Sequence, residues 1–198
     1  MRRLAVLVFL SIAVAQAVDK KPRFVVQPAA SYPGHVVQDQ VVIAAKPYDT
    51  NELAASAFGK VRPHERGIIP VLVVIDNNSG KPLRLNLKAE WVTAAGQHLE
   101  AMPPEDVVRF QGVQRRPEMR PPTAPIPAPR SKKKGPLNTP EIEGRAWAVR
   151  LLPPGESASG FFYFQASETN GAKLYLDGMA DAASGQPLFF VEVPLDAR

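Results

Sequence analysis

The feature that most limits what this chain can fold into is Leu151–Gln165, which reads Leu-Leu-Pro-Pro-Gly-Glu-Ser-Ala-Ser-Gly-Phe-Phe-Tyr-Phe-Gln. It predicts the end of one strand, a tight turn at Pro153-Pro154-Gly155, and the start of a second, strongly apolar strand. Proline presets the φ of a turn, and glycine accepts the positive φ that turns often demand. The run Phe161-Phe162-Tyr163-Phe164 is too short for a helix and consists of strand formers. It concentrates more apolar area than any other stretch after residue 17, and the remaining strands are expected to pack around it as a β-sandwich.

The other strands follow from periodicity. Phe24-Val25-Val26 reads as a short strand within an otherwise extended lead-in, 18–39, in which Pro22, Pro28 and Pro33 disfavour helix. Val41-Val42-Ile43 marks a better strand over 40–45. The run Ile68-Ile69-Pro70-Val71-Leu72-Val73-Val74-Ile75 is continuously apolar, the pattern of a strand buried on both faces, with Pro70 near its start because proline cannot donate to a ladder. After the turn Asn77-Asn78-Ser79-Gly80 comes the cleanest alternation in the chain. Leu83, Leu85, Leu87, Ala89 and Trp91 point one way, and Arg84, Asn86, Lys88 and Glu90 the other. Runs 67–76 and 83–93 are therefore read as an antiparallel pair. His98–Met102 is a further short strand and Glu105–Phe110 a single helical turn. Trp147, Val149 and Leu151 alternate along 145–152, Ala172–Asp177 alternates again, and Leu188–Val193 is the last strand.

One helix is expected, over Asp49–Gly59. Asp49 and Glu52 are spaced as an N-cap and its N3 partner, Leu53, Ala54, Ala57 and Phe58 share a face, and Gly59 sits at the C-cap. The fold class read from the sequence is thus all-β: an antiparallel two-sheet sandwich of seven or eight strands with one short helix.

The ends and the composition bear on location. Arg2-Arg3, the apolar run Leu4–Ala15 and the small-x-small site Ala15-Gln16-Ala17 have the form of a cleavable signal peptide over 1–17, the alternative being an uncleaved N-terminal anchor. The protein is expected to be exported, to the periplasm or beyond, with no transmembrane span after cleavage. The chain has no cysteine, which removes thiol nucleophiles, cysteine-type zinc sites and iron–sulfur clusters, and leaves an ordinary hydrophobic core to hold an exported domain together.

The net charge of +5 is unevenly placed. Arg115, Arg116, Arg120, Arg130, Lys132, Lys133 and Lys134 are opposed within their segment only by Glu118, so the rest of the chain is mildly acidic. The same region, 114–140, holds eight prolines and little apolar content. It reads as a long, disordered, polyproline-biased loop interrupting a single domain over 40–198.

At Pro154-Gly155-Glu156-Ser157 followed by Gly160-Phe161-Phe162-Tyr163-Phe164, the chain resembles small exported bacterial immunoglobulin-like domains. Those carry a Pro-Gly-x-Ser/Thr turn before a Gly-x-x-x-Phe strand. Ile69–Asn77 with Ser79-Gly80 looks like their paired strand ending in a polar turn. The resemblance spans 36–110 and 145–195 and departs from antibody-type domains in lacking the cysteine pair, with Trp91 as the candidate inward tryptophan. It implies an immunoglobulin-like sandwich and an adhesive, scaffolding or accessory role.

Chemistry-bearing patterns are sparse. His98, Glu100 and Met102 fall on one face of a strand at i, i+2, i+4, a spacing that suits a soft metal, against the plainer reading of a solvated strand end. Ser157 and Ser159 flank the turn without a G-x-S-x-G elbow, and Glu105/Asp106 and Glu141/Glu143 are carboxylate pairs placed in loops. Neither a phosphate-binding loop nor a dinucleotide fingerprint occurs. No catalytic residue, cofactor or metal is assigned.

The candidate binding residues are the basic set Arg115, Arg116, Arg120, Arg130, Lys132, Lys133 and Lys134, which bracket the spacer Pro121–Pro129. An extended basic segment suits an acidic envelope protein, an anionic wall polymer or lipid headgroups. Nucleic acid is disfavoured, because no aromatics interleave with the charges. The expected function is a non-enzymatic exported binding or accessory module of the cell envelope, making contact through the basic loop and the sandwich rim. The alternative is a structural envelope protein held electrostatically to an anionic surface, and behind both stands a hydrolase or metal-binding protein on a sandwich scaffold.

Overall fold

The computed structural model describes residues 24–110 and 135–197. The described chain is mostly β, with two antiparallel sheets and a few short helices. The first sheet contains β1 (His35–Gln38), β2 (Val41–Pro47), β3 (Ile69–Asn77) and β7 (Ser157–Phe164), in the order β1-β2-β3-β7. The second contains β4 (Leu83–Val92), β5 (His98–Glu100), β8 (Lys173–Asp181) and β9 (Val191–Pro194), in the order β5-β4-β8-β9, with the two-residue β6 (Leu151–Leu152) also paired to β4.

The core between the sheets is built from alternate residues of both. Ile43, Val71, Val73 and Ile75 meet Leu83, Leu85, Trp91, Leu174 and Val193, and Trp91 packs against Phe164 at 5.8 Å between ring centroids. The solvent-facing alternation read for Leu83–Trp91 is present, interrupted by a β-bulge between Leu85 and Lys88. Gly178 of β8 lies opposite the bulge with φ +91°, and a Cβ there would collide with the Asn86 carbonyl. The inward set of β8 shifts at this point from Leu174 and Leu176 to Met179.

A second core lies on the other face of the first sheet. It is covered by α1 (Asn51–Phe58), α2 (Pro104–Arg109), α3 (Pro140–Gly144) and the segment around Ala29 and Tyr32. Leu72 and Val74 of β3 point into it, so β3 is buried on both faces. The aromatic run is split by strand alternation: Phe162 and Phe164 face the inter-sheet core, whereas Phe161 and Tyr163 face the helices. The Tyr163 hydroxyl donates to the Ile142 carbonyl at 2.7 Å and ties α3 to β7.

Several expectations are corrected. Runs 67–76 and 83–93 are not a pair: β3 lies between β2 and β7, while β4 belongs to the other sheet. β3 has no free edge, because β2 and β7 occupy its two sides and leave no place for β4. The Pro153-Pro154-Gly155 turn likewise joins strands of different sheets, because β6 pairs with β4 and β7 with β3. Of 145–152 only Leu151–Leu152 form a strand, and it is Leu152 that is buried while Leu151 is exposed.

There are three short α-helices among the described residues, not one, besides two 3-10 turns. The α1 cap is Thr50, whose hydroxyl accepts from the Leu53 N–H at 3.3 Å, while Asp49 accepts from Thr169 Oγ1. Residues 135–140, read as part of the Pro-rich loop, belong to the fold: Leu137 is buried and Pro140 opens α3 behind the Thr139 cap. Glu141 and Glu143 consequently lie on a helix. The lead-in also differs, because β1 falls within 18–39 and residues 24–26 form no strand. The remainder of the lead-in to residue 23, the signal region and residues 111–134 lie outside the described residues.

Candidate binding groove

Two stretches of chain cross between the sheets on the same side of the molecule. The first follows β5. Ala101 N–H still donates to the Ala89 carbonyl of the second sheet at 3.1 Å, but Met102 N–H donates to the Tyr163 carbonyl of the first at 2.7 Å. Pro103-Pro104 then ends the extended run and starts α2. The second crossing runs the other way. Phe161 N–H donates to the Arg145 carbonyl and Trp147 N–H to the Phe161 carbonyl, at 2.8 and 3.0 Å, which lays 145–147 beside β7. The chain next reaches the second sheet, where Leu85 N–H donates to the Arg150 carbonyl at 2.8 Å. Close passage over β7 is possible because residue 160 is glycine: a Cβ there would sit 2.7 Å from the Trp147 Cα.

The crossings and the strands they join frame an open groove of about 460 Å³. Its apolar wall is formed by Met102, Pro103, Pro104, Trp147 and Phe162, with Lys88, Glu90 and Glu100 along the second-sheet side. Trp147 and Phe162 stack with centroids 5.9 Å apart and planes at 16°. The indole N–H of Trp147 donates to the Val149 carbonyl at 3.0 Å, which fixes the ring. Glu90 and Glu100 are directly opposite on β4 and β5. Glu90 is paired to His98, with Oε2 2.6 Å from Nδ1, while Glu100 makes no ion pair among the described residues. Like charges facing each other across a ladder oppose the pairing, and the exposed Glu100 gives this rim an acidic edge.

The predicted basic set, Arg115, Arg116, Arg120, Arg130, Lys132, Lys133 and Lys134, lies outside the described residues. The described residues on either side of it come together: α2 packs on α3, and Gly135 abuts the Val108 carbonyl so closely that it has no room for a Cβ. The described residues that flank the basic segment therefore meet at the end of the helix that begins in the groove wall.

Other candidates disperse. His35 opens β1 with Nδ1 2.6 Å from the Tyr32 carbonyl oxygen, His64 lies in a 3-10 turn over His64–Arg66, and His98 is on β5. His98, Glu100 and Met102 do not form one donor face, because the strand ends at Glu100 and Met102 bonds to the other sheet. Among the described residues no group of three or more His, Asp or Glu side chains is placed to hold a metal ion. Ser157 and Ser159 are exposed on β7 opposite Asp76 and Val74. The Glu141 carboxyl is held below its ordinary value, first by its hydrogen bond from the Thr139 hydroxyl. Among the described residues no helix is long and apolar enough to cross a membrane.

The groove residues escaped the sequence reading because their signals were read only as strand signals. Met102 counts there only as the end of a short strand, and Trp147 only as one member of an alternating strand. Comparison with protein-family models and with curated proteins finds no match to the chain.

Proposed function

We propose that the protein is a non-enzymatic exported binding or accessory module of the bacterial cell envelope, built on an immunoglobulin-like sandwich. The groove at the sandwich rim and the basic segment beside it make its contacts. The observation that carries this reading is the stacked Trp147–Phe162 pair held open at the rim next to an acidic edge. A concave apolar surface with a few placed polar groups is the usual form of a recognition site. The signal-like N-terminus supports the envelope location.

The test is capture from envelope extract with the exported form, residues 18–198, beside a Trp147→Ala variant and one lacking 115–134. A groove-made complex survives a wash at about 1 M salt, where the screening length falls from about 10 Å at 0.1 M to about 3 Å, and is lost with Trp147→Ala. A different result favours the second reading, a structural component tethered by charge. In that case only anionic polymer or lipid is retained, salt and the deletion release it, and Trp147→Ala does not. The concentration of seven basic side chains in one segment is what supports this second reading.

A further inference from the structure

We infer that the groove is a site for a proline-rich, basic-flanked peptide, and that its occupant is this chain's own segment Arg120–Arg130, bound within the same molecule. The inference rests on the groove being a contact surface, as proposed above. Three observations carry it: the wall, the charge and the reach.

The wall is aromatic and prolyl. Proline-rich peptides in the polyproline conformation dock into grooves lined by aromatic rings, and the extended form is already populated before binding, so little ordering cost remains. Trp147 stacked on Phe162, with Met102, Pro103 and Pro104 beside them, supplies such a surface. The sequence Arg120-Pro-Pro-Thr-Ala-Pro-Ile-Pro-Ala-Pro-Arg130 places five prolines between two arginines. A groove of about 460 Å³ takes a few of these residues at a time.

The charge is complementary. Arginine recognises carboxylate through paired N–H donors. Glu100 is exposed, has no cationic partner among the described residues and faces Glu90 across the ladder. Arg120 or Arg130 at this edge would relieve that like-charge contact.

The reach is short. Pro104 of the groove wall and Val108, against which Gly135 sits, are on the same helix, about 6 Å apart along its axis at about 1.5 Å per residue. Gly135 is six positions beyond Pro129, and Pro121 is eleven positions beyond Phe110. At about 3.3 Å per residue these spans reach about 20 and 36 Å.

The experiment uses the absence of cysteine. A spin label on Ala124→Cys in the exported form is the only thiol-directed label, and relaxation enhancement is read by NMR on dilute samples. The expected result is selective loss of intensity at the Trp147 indole N–H and at the Ala101, Met102 and Phe162 amides, with the Asp39 and Gln40 amides spared. Glu100→Lys, a surface change that leaves the fold intact, restores most of that intensity, as does high salt. Uniform weak broadening, or selective broadening that Glu100→Lys leaves unchanged, overturns the inference. So does broadening that appears only when labelled and isotope-enriched chains are mixed, since the segment then binds a second copy. No external partner is needed for this readout, so it separates from the capture experiment above.

Discussion

Asn77, at the end of β3, donates from its side-chain amide to the carbonyl of Leu152, at 3.1 Å, across 75 positions of sequence. The same nitrogen donates to the carbonyls of Lys81 and Pro153 at 2.8 and 3.1 Å, and the amide oxygen accepts from Ser79 N–H at 3.1 Å and Ser79 Oγ at 2.6 Å. The main chain adds to this, with Gly155 N–H donating to the Asn77 carbonyl at 2.7 Å. One buried side chain, 1% exposed, thereby pins both turns that carry the chain between the sheets at this end.

Asn77→Leu should accordingly destabilise the protein by about 3 kcal/mol, because it leaves the buried Leu152 carbonyl without its donor, at about 1–3 kcal/mol for a group that water cannot reach, and removes the part-buried bonds to Lys81, Pro153 and Ser79. Asn77→Asp should be no better, since a carboxylate supplies no donor for the three carbonyls. Urea unfolding checks this. A loss below about 1 kcal/mol for Asn77→Leu would mean that the two turns hold their shape without the amide.

The bulge opposite Gly178 gives a second prediction. Gly178 and Gly96 both have positive φ, +91° and +77°, but only Gly178 is also blocked, by the Asn86 carbonyl; around Gly96 there is open space. Gly96→Ala should cost about 1 kcal/mol, the price of a left-handed alanine. Gly178→Ala adds a backbone collision and should cost about 3 kcal/mol or more. Equal losses for the two variants in denaturant unfolding would show that the strands at the bulge part freely.

The contrast between β3 and β4 also shows how much of the fold was legible. The continuous run Ile69–Ile75 and the alternating run Leu83–Trp91 each gave the correct burial, twofold for the first and one-sided for the second. Burial does not fix pairing, and adjacency in sequence was taken for adjacency in a ladder, whereas β3 pairs with β2 and β7. The cap of α1 was misplaced because Asp49 and Thr50 are both good caps, and Asp49 is drawn away by Thr169, a partner 120 positions distant. Helix α3 was missed although Thr139-Pro140-Glu141 is a cap, an N1 proline and an acidic first turn. Its prolines and charges were assigned to the loop, and only Leu137 and Ile142 show that this end is buried. The groove was the least legible feature, because it is made where two crossings meet and no single stretch encodes it.

The hairpin of β1 and β2 offers a stabilising substitution. Gln38 pairs with Val41, so Asp39 and Gln40 form a two-residue turn, with φ of 48° and 64°. Both are left-handed, the conformation for which Asn-Gly is the preferred pair in such turns. Replacing Asp39-Gln40 by Asn-Gly should raise stability by about 1 kcal/mol, mainly through the glycine at 40. A raised midpoint with an unchanged slope in urea would confirm this. A lowered midpoint would show that the Gln40 side chain contributes more than its backbone costs.

The aromatic cluster under the helices makes stability fall in alkali. Tyr48 is 5% exposed, with its ring edge-on to Phe161 at 4.9 Å and 87°. Burial pushes its phenol from 10.0 up to about 12, with Tyr32 adding to the shift and Arg145 opposing it. Tyr163 moves the same way, also by burial. In the unfolded chain these phenols release their protons near the ordinary value of about 10, whereas the folded protein holds them longer. Between those values the unfolded state binds fewer protons, so stability falls as pH rises. The contribution is complete below about pH 10 and is lost as the pH climbs through the raised value. Unfolding midpoints followed from about pH 8 to about pH 11 should decline, and Tyr48→Phe should make the decline shallower, leaving the part due to Tyr163. An unchanged slope in Tyr48→Phe would mean that Tyr48 ionises as readily in the fold as out of it, and that the covering layer over Phe161 opens to hydroxide.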